Sequence, residues 1–448
     1  MGETPERTKD DGAGPTGDAD APHSDRAHLA VTLLLLLAAA ACYAGIVAIR
    51  LGPPSGGDTV PLTAVTSALA DGHLHLAASA ASLPNPPGYP LLAAPFVAAF
   101  PSAVGSPSWC TPSGRVHPAA ARQLRSGVVA TDVEECGTNG AAAILPPWFR
   151  AQGLLGVVSW LVLATGALAL LRAARADTLA RQAGLLAFLA FLPAASSAIV
   201  QLYHPQDVVS LGLALAGLAL ALRRRWLLAG VLFGVAMLTK QFAVLLLLPA
   251  LVAAPDRRSR LWLSGAAIAV FAAGILPFLA VDLRATLENL SGFSAGGAAA
   301  GQTVLTLAGV HGTVASAVAR DAPLVFALVV CVWAHRRPGM HADRPVTLVA
   351  LALVCTGSRL VFESVVFPYY LLAASVLVLL LDLVARRSPH WSLTWCAAAA
   401  FFVALHPGNR AVAALGTLIL AVAVVALGFL ELLTDDRSPA DAEQAVVA

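Results

Sequence analysis

Nine ionisable side chains near the ends of apolar segments make up the candidate chemistry of the chain: Asp58, His204, Asp207, Lys240, Asp282, His311, Arg359, Glu363 and His406. Such groups are costly in or near lipid, so they usually face a cavity. A cavity holding a carboxylate and recessed cations suits transfer from a lipid phosphate. The phosphate leaving group needs cationic stabilisation and an attacking hydroxyl needs a base. Asp58 stands in Ser55-Gly56-Gly57-Asp58-Thr59, where two glycines leave room for a ligand. Its carboxylate could serve as that base, or simply cap the amphipathic stretch Val60 to Leu69 that follows.

Lys240 is more informative than its neighbours. The stretch from Arg225 to Lys240 spans 15 residues, about 22 Å of helix, which is less than the hydrocarbon thickness of about 30 Å. Two short helices meeting at Lys240 keep the flanking Arg223–Arg225 and Arg257–Arg260 on one side of the membrane, whereas one long helix over 226–254 would separate them. The ammonium then lies below the outer surface, as a ligand contact or as a lysine snorkelling to the headgroups. Arg359 and Glu363, four apart, share one helix face and can form an ion pair, structural or substrate-binding. His204-Pro205-Gln206-Asp207 joins two helices; His204 and Asp207 could bind sugar hydroxyls or a metal, or form a polar turn in which Asp207 caps the next helix. Phe367-Pro368-Tyr369-Tyr370 places phenols at the outer boundary, where aromatic belts are ordinary.

The elements that must position these groups are membrane helices. Of 448 residues, 58% are apolar and 12% charged, against about 45–50% and 25% in an average soluble domain. A soluble globule is excluded, and a net charge of +2 gives no basic field for nucleic acid. Residues 1–28 hold seven acids and three bases and read as a disordered cytoplasmic tail. The first apolar run is long for a signal core and reads as an uncleaved membrane helix. Twelve helices are expected, at about 29–50, 151–171, 182–200, 208–222, 226–239, 242–254, 261–281, 322–334, 345–357, 368–385, 391–405 and 411–433, with 434–448 a cytoplasmic tail. Placing the arginine-rich turns and both termini inside puts 18 of the 28 Lys and Arg on the cytoplasmic side and 10 outside.

Residues 51–150 then form a large extracytoplasmic loop that holds 14 of the 29 prolines. Pro90, Pro95 and Pro101 make Tyr89 to Val104 a poor spanning helix, so interfacial or re-entrant helices are expected there. Cys110 and Cys136 are the only cysteines in this loop and can pair as a disulfide. No Cys or His metal spacing and no nucleotide fingerprint occur, so no structural zinc site and no cofactor are expected, and metal chemistry, if present, would use carboxylates. A lipid-borne donor fits better than a nucleotide sugar.

This pattern resembles the GT-C integral-membrane glycosyltransferases. It is most similar to glycosyltransferase family 87, the polyprenyl-phosphate-mannose-dependent mannosyltransferases. The resemblance spans about residues 29–433. It is carried by Gly57-Asp58, by Asn85-Pro86-Pro87-Gly88-Tyr89-Pro90 and above all by the block from Trp226 through Gly230 and Gly234 to Lys240-Gln241, with Arg359, Glu363, Tyr369 and Tyr370 adding weaker support. Two departures stand out: His204-Pro205-Gln206-Asp207 where the family more often shows a Gly-Gln pair, and a long loop around Cys110 and Cys136. The resemblance implies an inverting transferase that moves a sugar, with mannose the first choice, from a polyprenyl phosphate to an extracytoplasmic glycolipid or polysaccharide. It implies Asp58 as catalytic base and Lys240, helped by Arg359, as donor-phosphate contact. His204, Gln206, Asp207, His311, Glu363 and Tyr370 are then candidates for substrate binding. The competing class is a non-enzymatic lipid or solute transporter, which should hold its ionisable groups nearer the bilayer midplane on broken helices.

Overall fold

The computed structural model describes residues 21–50, 86–99, 145–201, 203–291, 312–338, 340–363, 366–388, 390–405 and 410–434, with isolated positions within 62–74 and 303–310. Asp58, Cys110, Cys136, His311 and His406 lie outside the described residues. Within them the protein is all-helical, with no strand. In chain order the helices are α1 (Ala21–Arg50), α2 (Gly88–Ala99), α3 (Leu145–Ala173), α4 (Leu179–Phe191), α5 (Pro193–Ser196, continued by a π turn to Gln201), α6 (Pro205–Leu222), α7 (Trp226–Thr239), α8 (Val244–Ala253), α9 (Arg257–Val281), α10 (Leu283–Ser291), α11 (Gly312–Arg336), α12 (Pro345–Phe362), α13 (Leu371–Val384), α14 (His390–Leu405) and α15 (Arg410–Thr434).

Among the described residues seven helices are long and apolar enough to cross a membrane: α1, α3, α6, α9, α11, α12 and α15. The expected segment 182–200 is one path broken at Pro193, where α4 and the following turn diverge by 47°. Proline lacks the N–H and its ring clashes with the preceding turn, so it starts a new helix there. Pro205 and Pro345 likewise stand at the first positions of α6 and α12, where a missing N–H costs nothing.

Local chemistry fixes the other ends. Asp256 caps α9 by accepting the Ser259 N–H at 2.8 Å and the Ser259 hydroxyl at 3.0 Å, and these two bonds hold its carboxyl below the usual range. The turns that end α3, α6 and α13 put Arg175, Arg224 and Arg386 in the left-handed region, with φ of 53°, 57° and 57°. Glycine is the usual residue there, and an L side chain costs about 1–2 kcal/mol. Arginine brings in exchange a positive charge at the negative end of the helix dipole and a stem long enough to reach the headgroups.

The centre of the bundle is α6, α12 and α13, buried on almost every face. Helices that are apolar all round belong in such a position. α3 and α7 flank α6, and α8, α11 and α15 flank α12. At the periphery α1, α9, α11 and α15 turn Leu34, Ile268, Val329 and Leu430 outward, as a lipid-facing surface requires. The Gly230 and Gly234 pair of α7 packs on α9. A Cβ on Gly234 would stand 2.7 Å from the Ala267 carbonyl oxygen and the Val270 Cβ, so only glycine permits that approach.

Candidate functional site

Three separate chain paths bring charge to one level of the bundle. α7 begins at Trp226 and α8 ends at Ala253, and both ends line one polar cavity with Arg224, Arg260, His335 and Asp343. The two short helices are therefore a hairpin whose apex is Lys240, in extended backbone at φ −156° and ψ 132°. The expected pair of short helices is what forms. From Trp226 to Lys240 is about 21 Å of helix, from Pro345 to Arg359 about the same, and from Leu222 back to Asp207 about 22 Å. The agreement of these three lengths is why the charges meet.

At that level Lys240 Nζ stands 3.4 Å from Asp207 Oδ2, and Arg359 Nη1 3.9 Å from Asp207 Oδ1. The Arg359 Nε donates to Glu363, closing the i, i+4 pair expected from their spacing. His204 Nδ1 lies 3.6 Å from Asp207 Oδ2 and 3.1 Å from the Gln206 amide nitrogen. Asp207 and Lys240 are 4% and 5% exposed, so this is a buried network rather than a surface pair. Such pairs need close geometry to offset their desolvation.

Aromatic rings wall the cluster. The Arg359 guanidinium lies 4.3 Å over the Tyr370 ring and 5.3 Å over Phe242, which is cation–π distance on two faces. His204 stacks on Tyr369 with ring centroids 4.1 Å apart, and Tyr369 meets Tyr370 edge to face at 4.6 Å. Ser210 donates to the Ala236 carbonyl at 3.0 Å, tying α6 to the last turn of α7. Gly88 at the start of α2 presses on the same place. A Cβ there would stand 2.5 Å from the Leu238 carbonyl and 2.6 Å from the Thr239 nitrogen. The next residue, Tyr89, sits 3.4 Å hydroxyl to hydroxyl from Tyr203, itself at φ 50°.

A cavity of about 300 Å³ opens from the cluster between α8, α11 and α12. Lys240, Gln241, Arg359 and Glu363 line it with a second charged pair, Arg320 and Asp321, and the apolar wall between them is Phe242, Val244, Leu245, Leu290, Ala319, Pro323 and Leu324. The Gln206 Oε1 and Asp207 Oδ2 atoms are buried without a hydrogen-bond partner. Neither lines the cavity, and Asp207 Oδ2 is the oxygen that faces Lys240, so the groups the cavity offers a ligand at this end are Lys240, Arg359 and Glu363. No group of three or more His, Cys, Asp or Glu able to hold a metal occurs among the described residues.

The structure brings together His204, Gln206, Asp207, Lys240, Arg359, Glu363 and Tyr370. Asp207 departs from the turn expected of it. α6 begins at Pro205 with His204 at its N-cap, three residues before the expected start, and the Asp207 carboxylate faces Lys240 instead of capping. Asp282 is not part of the cluster: its Oδ1 accepts the Ala285 N–H at 2.9 Å and caps α10. Phe242, Ser210 and Tyr203 were not singled out by the sequence, and nothing in their types or spacing marks them. The 12-residue α2 falls in the proline-rich stretch expected to hold an interfacial or re-entrant helix. A comparison with protein-family models gives no match, and neither does one with curated proteins.

Proposed function

We propose that this chain is a membrane glycosyltransferase of the GT-C type, similar to glycosyltransferase family 87. On this reading it has about twelve membrane helices, counting the short α7 and α8 of the hairpin, with both termini in the cytoplasm, and moves a sugar from a polyprenyl phosphate to an extracytoplasmic glycolipid or polysaccharide. The observation that carries this reading is the buried pair of cations, Lys240 and Arg359, at the end of a cavity with largely apolar walls. A phosphate on a long isoprenoid has the same two-part chemistry. The cations would stabilise the phosphate as it leaves. Glu363, on the same cavity wall, would receive sugar hydroxyls. Asp58 would take the proton of the attacking hydroxyl, and direct displacement would invert the anomeric centre. Mannose is the sugar that the resemblance implies.

The break at Lys240 favours a second reading, a lipid or solute transporter, because transporters build sites where helices are interrupted. The depth of the site, about 21 Å from the arginine end, stands against it, since transporter sites lie near the midplane. Purified protein incubated with labelled polyprenyl-phosphate mannose and a membrane glycolipid extract separates the two. Lipid-dependent appearance of label in the acceptor supports transfer. Label that crosses a proteoliposome membrane on its unchanged carrier, with none in the acceptor, supports transport.

A further inference from the structure

At the end of the hairpin away from Lys240, the last turns of α6, α8 and α11 and the first turns of α7 and α9 enclose a polar cavity of about 310 Å³. Its floor is alanine: Ala221, Ala253, Ala254, Ala334 and Ala342 line it and are buried. Larger apolar side chains at these converging positions would fill the space. The ionisable groups around it are Arg224, Arg260, His335, His341 and Asp343. Asp343 is the one carboxylate among these lining residues, and it stands 4.0 Å from Arg224, a loose pair between two exposed side chains.

Arg260 is held differently. Its Nε donates to the Ala254 carbonyl at 3.2 Å, which fixes the guanidinium and leaves the edge formed by the two terminal nitrogens. Nη2 lies 3.5 Å from both ring nitrogens of His335. The in-plane directions of those nitrogens diverge, so one N–H cannot point along both, and the contact crosses the ring instead of ending on an acceptor. Among the described residues no carboxylate lies within ion-pair distance of Arg260. A pre-oriented guanidinium edge matches a pair of oxygens on one anion, and a phosphate supplies both the pair and the charge that a single carboxylate leaves uncompensated here. We propose that this cavity binds a phosphate group, free or on a lipid headgroup, through a bidentate contact with the terminal edge of Arg260, with His335 and His341 beside it. The proposal is independent of the transferase reading, since the cavity shares no residue with the charged cluster.

The test uses the full chain in detergent. His335 and His341 are exposed, so diethyl pyrocarbonate reaches them, and peptide mass spectrometry reads the rate of modification. The probes are inorganic phosphate and phosphatidic acid in mixed micelles, with phosphatidylcholine as the zwitterionic control. At about five times its dissociation constant, a bound probe should slow both sites about sixfold by mass action, and leave His28, which does not line the cavity, unchanged. Protection by inorganic phosphate identifies free phosphate as a ligand, and protection by phosphatidic acid alone identifies a lipid headgroup. Arg260→Gln should weaken binding of the protecting probe at least about tenfold. Arg257→Gln, one turn away on α9 and outside the cavity, should change it by less than about twofold. Protection is read on the parent chain, so it holds even if the Arg260 variant fails to fold. No protection by either probe, equal protection by phosphatidylcholine, an Arg260→Gln protein that keeps its affinity within about twofold, or equal losses in the two variants overturns the proposal.

Discussion

Replacing Asp207 by Asn keeps the shape of the side chain and removes one charge from a buried network. Lys240, 3.4 Å away, loses its nearest counter-charge, whereas Arg359 keeps Glu363. At an effective dielectric of about 20, unit charges 3.4 Å apart attract by about 5 kcal/mol. Loss of one partner from a buried pair costs about 3–5 kcal/mol by experience with other proteins. Asp207→Asn is therefore expected to lower stability by about 3–5 kcal/mol. Lys240→Met should cost the lower end of that range, because Asp207 still has Arg359 at 3.9 Å. The double variant leaves neither member of the pair charged, and should fall within about 2 kcal/mol of the parent. The coupling between the two sites is then about 3 kcal/mol or more, measured by reversible unfolding of the four proteins in mixed micelles and followed by tryptophan fluorescence. Single costs that simply add, to within about 0.5 kcal/mol, would refute the argument that the two groups neutralise each other.

Gly88→Ala should lower stability by about 1–3 kcal/mol, because the new methyl meets backbone at Leu238 and Thr239 that cannot rotate away; chemical denaturation measures it, and an unchanged midpoint contradicts the close contact. Asp58→Asn should retain helix capping and donor binding but reduce transfer at least about a hundredfold; near-normal transfer would shift the base to Asp207 or Glu363. Cysteines placed singly in a background without Cys110 and Cys136 report topology: a membrane-impermeant thiol reagent should reach position 126 and not position 24 in intact cells, and the reverse pattern inverts the orientation. Cys110 and Cys136 should resist alkylation until reductant is added, which intact-mass analysis detects; two adducts without reductant exclude the disulfide.

The parts of this architecture that could be read from sequence are those set by local rules. The hairpin at Lys240 followed from the 15 residues between Arg225 and Lys240 and from the arginine clusters Arg223–Arg225 and Arg257–Arg260, which belong on one side of the membrane. The Arg359 and Glu363 pair followed from helical spacing. Asp207 did not follow from either rule. Its partners are 33 and 152 positions along the chain, and no periodicity encodes a contact that depends on α6, α7 and α12 reaching the same depth. The break at Pro193 was visible as a proline, yet the surrounding apolar run hid its consequence for the segment 182–200. α10 was not anticipated at all. Nine residues of mixed polarity resemble a loop until Asp282 caps them.

The balance of charge around Asp207 determines what a ligand can gain on arrival. Lys240, Arg359, Asp207 and Glu363 carry no net formal charge together. On the proposed transferase reading, an entering phosphate would take the place of a carboxylate that is already bound, exchanging one ion pair for another. Such an exchange is nearly neutral in free energy, whereas each methylene withdrawn from water contributes about 0.8 kcal/mol. Selection would then rest on the tail: inorganic phosphate and short-chain phosphates should compete weakly, and affinity should rise with the length of chain that the apolar walls can cover.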